Sequence, residues 1–222
     1  MIRQVLVETF KVYVRRFPAI AVVTGAIWLP FHLFSYYSTF FLPADEGFDR
    51  SEWLTPFVEG LLWVFHSAAI IVLVEDPTRR GIGFAFREGA FAWGRLLIMR
   101  MVATLIIFVG LILFIVPGVY MWVRLMYAEA VTVIERRPIG EAIERSIQMT
   151  SGKFFPCLGL ALLLLMLLIP GLVAVFFLAP PLVPGYWILS SAVDVIINLS
   201  FALMIVGFVC GYRRMTIPET PA

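Results

Sequence analysis

Charged residues are scarce in this chain. Asp, Glu, Lys and Arg make up 14% of its 222 residues, whereas a soluble domain carries about a quarter. Hydrophobic residues make up 61%, so the polar surface is too small to cover a water-soluble globule. The net charge is only +2, and no basic stripe marks a soluble face, which argues against a nucleic-acid binder. These shortages indicate an integral membrane protein.

Cysteines and catalytic motifs are equally sparse. Cys157 and Cys210 lie in or beside apolar segments, and their separation fits neither a disulfide framework nor a zinc site. The chain has no nucleophile elbow, zinc motif or dinucleotide-binding fingerprint. The sequence therefore predicts a protein without catalytic residues, a cofactor or a bound metal.

Positive charge is largely confined to one side of the apolar stretches. Of the 17 Lys and Arg residues, only Arg50 falls in a segment expected outside the cell, and Arg124 falls within a span. Because Lys and Arg concentrate in cytoplasmic loops, this pattern predicts a bacterial cytoplasmic (inner) membrane protein with both termini in the cytoplasm. The predicted cytoplasmic basic face includes Arg15, Arg16, Arg79, Arg80, Arg136, Arg137, Lys153, Arg213 and Arg214.

The apolar stretches predict an all-α, polytopic integral membrane protein with six transmembrane helices in a single domain over residues 1–222. Pro117-Gly118 divides residues 96–134, because one helix of that length would measure roughly 58 Å, about twice the hydrocarbon thickness. Within span five, Pro170-Gly171 is either a kink or a turn. The predicted spans are 17–37, 57–74, 96–116, 118–134, 154–178 and 186–212.

Three amphipathic segments with basic flanks precede spans one, three and five. Residues 1–16, the stretch from Ile82 to Trp93 and the stretch from Ile139 to Thr150 each place apolar side chains at helical spacing. This pattern predicts helices that lie in the membrane interface. Gly152 is the predicted stop of the third helix. The unit of an in-plane helix and a transmembrane hairpin would then occur three times.

A group of motifs in the middle of the chain is distinctive in its order. It consists of the stretch Gly110–Tyr120 (GLILFIVPGVY), Arg124, Glu135, the stretch Glu141–Ser146 (EAIERS) and Gly152-Lys153-Phe154. Over residues 100–160 the chain resembles the membrane domain of glycerophosphoryl diester phosphodiesterase-like and YciC-like bacterial membrane proteins, and the Tyr212-Arg213-Arg214 ending is also similar. The resemblance implies a multi-pass inner-membrane protein. It implies no hydrolysis, because nothing in the chain corresponds to a phosphodiesterase domain.

Ionisable residues within the spans are the candidate functional residues, because a charge in hydrocarbon needs a partner or water. Arg124 and Asp194 lie roughly 9 and 12 Å from the outer ends of their spans, at 1.5 Å per residue. They are predicted to pair, either to hold two helices together or to line a polar cavity for a solute or a lipid headgroup. Arg100 and Glu59 lie within a turn of an interface and need no special role. The predicted intramembrane polar layer comprises Arg124, Asp194, His66, Glu129 and His32.

Two functions compete at this point. The first is a non-catalytic membrane protein that organises lipids or a partner membrane protein, since basic flanks attract anionic headgroups at about 1 kcal/mol per charge. The second is a small transporter or channel-like protein that uses the layer around Arg124, Asp194 and His66. An enzyme ranks behind both. A water-accessible cavity at the layer would favour transport, and a closed bundle with a basic face would favour the organising role.

Overall fold

The computed structural model describes residues 2–41, 50–75, 81–169, 173 and 187–216. Over this part of the chain all regular structure is helical, which confirms the all-α prediction. A π-helix, Val131–Glu135, follows the short helix α5. The α-helices are α1 (Ile2–Phe41), α2 (Arg50–Glu75), α3 (Ile82–Leu113), α4 (Ile115–Leu125), α5 (Ala128–Ala130), α6 (Ile139–Thr150), α7 (Phe154–Met166) and α8 (Trp187–Thr216).

Four of these helices, α1, α2, α3 and α8, are long and apolar enough to cross a membrane. Helices α6 and α7 together make a fifth candidate, although they are bent by 104° relative to one another. The described helices thus account for four or five crossings, and the six predicted spans stay a prediction. Pro170-Gly171 and the rest of span five beyond Ile169 lie outside the described residues, apart from Val173.

Helix α2 occupies the centre of the bundle. It packs against α3 on one side and against α1 and α8 on the other, and α1 and α8 pack extensively together. The segment of α2 that runs from Ala68 to Val74 is apolar at every position, and each of these side chains is at most 4% exposed. A helix that is hydrophobic all round belongs in the interior, so this segment sets the position of the other helices.

Helices α3 and α4 form a tight hairpin, as predicted, but the turn lies earlier than predicted. Phe114 alone is extended, with φ −165° and ψ 154°, whereas Pro117 is the third residue of α4. Proline is accommodated in a first helical turn because its missing N–H would have no intrahelical partner there. A Cβ on Gly110 would lie 3.0 Å from the Gly118 Cα. Pro117-Gly118, the predicted turn, therefore lies within α4, where Gly118 packs closely against Gly110 of α3.

Two of the three predicted in-plane helices are not separate elements. Residues 2–16 continue into the first span as part of the 40-residue helix α1, and residues 82–93 continue into the third span within α3. Pro18 lies at the first boundary and Gly94 at the second, and the helix continues through each of them. The third helix, α6, is separate, because Gly152 has the left-handed φ of 71° that glycine adopts without strain. The predicted stop at Gly152 is thus confirmed.

The predicted fourth span is broken. Helix α4 ends at Leu125, and a turn at Met126 and Tyr127 precedes α5 and the π-helix. The Ser146 hydroxyl of α6 donates to the Arg124 carbonyl at 2.7 Å and accepts from the Tyr127 N–H at 3.3 Å. Broken helices survive at membrane depth only where other groups satisfy the freed backbone. Helix α6 therefore stabilises the break from the side.

Candidate functional site

A half-open cleft of about 460 Å³ lies between α3 and α8. Helix α2 forms its floor, because α2 packs against both of these helices. Helices α4 and α5 complete the wall on the α3 side. Most of the lining is apolar or aromatic, and it includes Trp63, Ile71, Met99, Ile107, Trp122, Phe201 and Phe208.

One ion pair interrupts this apolar lining. Arg100 of α3 donates from Nε to Glu129 Oε1 at 2.8 Å and from Nη2 to Glu129 Oε2 at 2.7 Å. Nη2 also donates to the Ser67 hydroxyl of α2 at 3.0 Å. The side chains of Arg100 and Glu129 are 29% and 35% exposed, so both reach the cleft. Two parallel hydrogen bonds fix the guanidinium plane against the carboxylate.

The third guanidinium nitrogen of Arg100, Nη1, takes no part in these hydrogen bonds. No residue in the described part of the chain accepts a hydrogen bond from Nη1. Nη1 is also not among the described polar atoms that are both buried and without a partner. Nη1 therefore keeps some surface exposure, and Arg100 itself lines the cleft.

The predicted pair of Arg124 and Asp194 does not form. Arg124 donates to the Tyr120 hydroxyl at 2.7 Å and to the Ile147 carbonyl at 3.3 Å. Asp194 instead accepts from the Tyr36 hydroxyl at 2.9 Å. Helix α4 packs on α3, α6 and α7, whereas α8 packs mainly on α1 and α2. The two residues therefore face different neighbours, and equal depth does not bring them together.

The two histidines belong to the packing around α1. His32 Nδ1 lies 3.6 Å from Asp194 Oδ2, and its ring stacks on Trp28 at 5.5 Å. His66 is fully buried and shares a hydrogen bond of 3.0 Å with the Thr24 hydroxyl. The predicted layer thus divides into four sets: Arg124 on α4, His32 with Asp194 at the α1–α8 contact, His66 at the α1–α2 contact, and Glu129 in the cleft.

The basic end of the bundle carries a second network. Arg136 pairs with Glu88 at 2.6 Å, and Arg95 donates to the Arg136 carbonyl at 3.1 Å. Arg136 has a φ of 54°, the one positive value for a non-glycine residue in the described ranges. A polar pocket of about 410 Å³ lies here, lined also by Glu75. The network anchors the π-helix to the start of α3.

Glu135 joins several side chains at the same basic end of the bundle. It accepts from the Tyr212 hydroxyl at 2.9 Å and from Arg137 Nε at 2.5 Å, and Arg145 Nε lies 3.7 Å away. Burial acts to raise the pKa of Glu135. The hydrogen bonds from Tyr212 and Arg137 and the charges of Arg137 and Arg145 outweigh it, so the net pKa is below its ordinary value.

Other members of the predicted basic face reach the same end of the molecule. Arg213 donates to the carbonyls of Val74 and Glu75 at the end of α2, and Arg214 donates to Gln4 near the start of α1. The Lys153 ammonium lies 3.8 Å from the Met215 sulfur. Arg15 and Arg16 lie on α1. Arg79 and Arg80 are outside the described residues.

Sequence reasoning missed Arg100, the central residue of the cleft. Arg100 lies four residues from the start of predicted span three, within reach of the interface. Glu129 lies five residues from the end of predicted span four. These offsets differ by one residue, and the two spans of a hairpin bring residues of similar offset together. That signal could have identified the pair, whereas Ser67 and Ser146 carry no comparable signal.

No cluster of three or more His, Cys, Asp or Glu side chains able to hold a metal occurs within the described residues. Comparison with known proteins finds no matching family model, no similar curated protein and no similar solved structure. The resemblance to membrane domains of glycerophosphoryl diester phosphodiesterase-like and YciC-like proteins therefore stays a prediction.

Proposed function

We propose that this chain is a non-catalytic integral membrane protein that binds and organises membrane lipid through the cleft between α3 and α8. The main support for this proposal is that the cleft combines apolar walls with one fixed polar group, the Arg100–Glu129 pair. A wholly polar solute would leave most of this lining unsatisfied. A purely apolar molecule would make no use of the Arg100 donors. An amphiphile matches both parts.

The position of the pair within the cleft gives the amphiphile a direction. Arg100 is five residues beyond Arg95 on α3, which places it roughly 7 Å deeper than the basic end. The apolar lining continues from Arg100 to Ile107, a further rise of roughly 10 Å. A lipid of the leaflet nearest the basic end points its chains in the same direction. It fits with its polar part at Arg100 and a chain along the cleft.

The setting we propose is a bacterial cytoplasmic membrane, crossed six times, with both termini in the cytoplasm. Two observations support it. The contact between Gln4 and Arg214 places the two ends of the described chain at one end of the bundle. Basic side chains of α3, α6, α8 and the π-helix region meet at that same end. Positive charge on cytoplasmic loops is the usual orientation, and it would attract anionic headgroups there.

The alternative function, a small transporter or channel-like protein, was based on a polar layer around Arg124, Asp194 and His66. Arg124, Asp194 and His66 line neither the cleft nor the basic-end pocket. A transport path would have to use the Arg100–Glu129 pair instead, and no observation favours that use over lipid binding.

The experiment uses one substitution inside the cleft and one outside it on the same helix. Ile107→Trp places an indole in the cleft, whereas Ile112→Trp places it at a site that is 68% exposed on the outer surface of α3. The purified proteins are mixed with dioleoyl phosphatidylglycerol in detergent and analysed by native mass spectrometry. We expect the wild type and Ile112→Trp to retain one lipid per chain.

We expect Ile107→Trp to lose that lipid, because the indole occupies the volume that the chain needs. Equal retention by both variants would place bound lipid outside the cleft. Absence of a stoichiometric lipid from the wild type itself would contradict the proposed function.

A further inference from the structure

Resting on the proposed function, we infer which part of the lipid the cleft recognises. Arg100 Nη1 donates to an ester carbonyl of an ester-linked membrane lipid, and the charged headgroup stays outside the cleft at the membrane surface. The inference depends on the unused donor, the electrical neutrality of the site and its depth.

The donor is fixed in direction. Nε and Nη2 are engaged by the two oxygens of Glu129, and Nη2 is engaged again by Ser67. A guanidinium is planar, so these three hydrogen bonds set the direction in which Nη1 points. A ligand oxygen that binds Nη1 therefore meets a pre-organised group. Little further conformational entropy is lost on binding.

The site is electrically neutral before any ligand enters. The charge of Arg100 is balanced by Glu129 at 2.7 Å. A phosphate oxygen at Nη1 would add a negative charge close to the Glu129 carboxylate, and like charges at this distance repel. A carbonyl oxygen accepts the same hydrogen bond without that repulsion. Glu129 thus weakens the attraction of Arg100 for an anion, whereas the binding of a neutral carbonyl oxygen is not weakened in this way.

The depth agrees with the same part of a lipid. Arg100 lies roughly 7 Å below Arg95, at the boundary between headgroups and acyl chains, where interfacial groups penetrate by about 5–10 Å. The ester groups of a glycerolipid lie between its phosphate and its chains. With an ester at Arg100, one chain follows the lining toward Ile107, and the phosphate remains near the basic end.

Two lipids that differ only in this carbonyl provide the test. Dioleoyl phosphatidylglycerol carries two ester carbonyls, and its dialkyl ether analogue has the same headgroup and chain length without them. Binding of each to the wild-type protein is measured by native mass spectrometry titration. We expect the ester lipid to bind about tenfold more tightly, the effect of one hydrogen bond to a charged donor.

A cleft variant removes the donor without leaving a lone charge. The double substitution Arg100→Leu and Glu129→Leu replaces the ion pair with apolar side chains, which buried pairs often tolerate. In this variant the ester and ether lipids are expected to bind equally. If the variant does not fold, the comparison of the two lipids on the wild type still decides the question.

The outcomes separate the two proposals. Equal binding of ester and ether lipids by the wild type would overturn carbonyl recognition while leaving lipid binding intact. A preference for phosphatidylglycerol over phosphatidylcholine that disappears in the double leucine variant would overturn it as well, because Arg100 would then contact the headgroup and not the ester carbonyl. If neither lipid binds, the proposed function itself fails.

Discussion

At the scale of single residues, the cleft depends on the Arg100–Glu129 ion pair. Burying either charge without the other would cost free energy of folding. Arg100 and Glu129 are mostly enclosed by protein and would be surrounded by lipid beyond it. Taking two ions out of water is offset only when they hydrogen-bond to one another well. The two parallel hydrogen bonds and the Ser67 hydroxyl meet that requirement.

Glu129→Gln is therefore expected to destabilise the protein much more than its small change in shape suggests. It removes the negative charge and leaves the guanidinium of Arg100 uncompensated, at a cost of about 2–4 kcal/mol. Unfolding of the purified protein in a denaturing detergent measures the change. The double substitution of Arg100 and Glu129 to leucine is the control. Its free energy of unfolding should lie within about 1 kcal/mol of the wild-type value. If the single variant is as stable as the double, the pair carries no stabilising charge interaction.

Glu135 gives the protein a pH dependence at its basic end. Its pKa is lower in the folded protein than in the unfolded chain, so the ionised form stabilises the fold above the ordinary carboxylate pKa of about 4. This contribution is lost as the pH falls through the lowered pKa. We expect Glu135→Gln to lower the melting temperature at pH 7, with a gap to the wild type that narrows toward pH 4 and below. A gap that stays constant with pH would contradict this role.

At the scale of helices, the break after α4 is what positions the cleft. Without the turn at Met126 and Tyr127, α4 and α5 would continue as one straight helix, and Glu129 would point in another direction. Ser146 satisfies the carbonyl of Arg124 and the N–H of Tyr127 on either side of the turn. A helix outside the α3–α4 hairpin thus holds the hairpin in its broken form.

Ser146→Ala should remove both of these hydrogen bonds and leave buried backbone groups unsatisfied. We expect a loss of about 1–3 kcal/mol in the free energy of unfolding, together with weaker lipid retention, because Glu129 follows the break. Ser200→Ala is the matched control. Among the described residues, its exposed hydroxyl donates only to the Ile196 carbonyl of its own helix, so little change is expected. Equal effects of the two substitutions would show that the break needs no support from α6.

Helix positions could be predicted from sequence far better than helix contacts. The predicted spans 57–74 and 186–212 fall on helices α2 and α8 over the described residues, and the length argument required a hairpin in residues 96–134. The turn was misplaced because proline is compatible with both a turn and a first helical turn, and Pro117 occupies the latter. The separate helix at residues 2–16 was wrong because amphipathic spacing does not reveal whether a helix continues.

The predicted partner of Arg124 was wrong for a related reason. Counting residues from a membrane boundary gives depth, but not the direction in which a side chain points around its helix. Arg124 faces Tyr120 and α6, and Asp194 faces α1. Depth would have been sufficient only within the α3–α4 hairpin, whose short turn places the region of Glu129 beside α3.

At the scale of the whole molecule, polar groups are sorted by position. Charges gather at the basic end, one ion pair lies in the cleft, and the tip of the α3–α4 hairpin is apolar. Leu113, Phe114, Ile115 and Val116 are between 64% and 77% exposed. The rise from Arg95 to Leu113 is roughly 27 Å, slightly less than the hydrocarbon thickness of about 30 Å. An exposed apolar tip at that height fits the far edge of the hydrocarbon, so the α3–α4 hairpin nearly reaches the opposite surface.

Cysteine accessibility tests this arrangement in whole cells. In a background with Cys157→Ala and Cys210→Ala, single cysteines are placed at Phe114 and at Thr216, which follows the basic end of α8. A membrane-impermeant maleimide is added to intact cells and to inverted vesicles. We expect Thr216→Cys to react only in inverted vesicles, since we propose that the basic end, which includes the Gln4–Arg214 contact, faces the cytoplasm. We expect Phe114→Cys to react in neither preparation, because hydrocarbon contains no water to form a thiolate or carry the reagent.

Labelling of Thr216→Cys in intact cells would show that the orientation in the membrane is the reverse of the one proposed. Rapid labelling of Phe114→Cys in intact cells would place the hairpin tip in water. The Arg100–Glu129 cleft would then lie closer to the opposite leaflet.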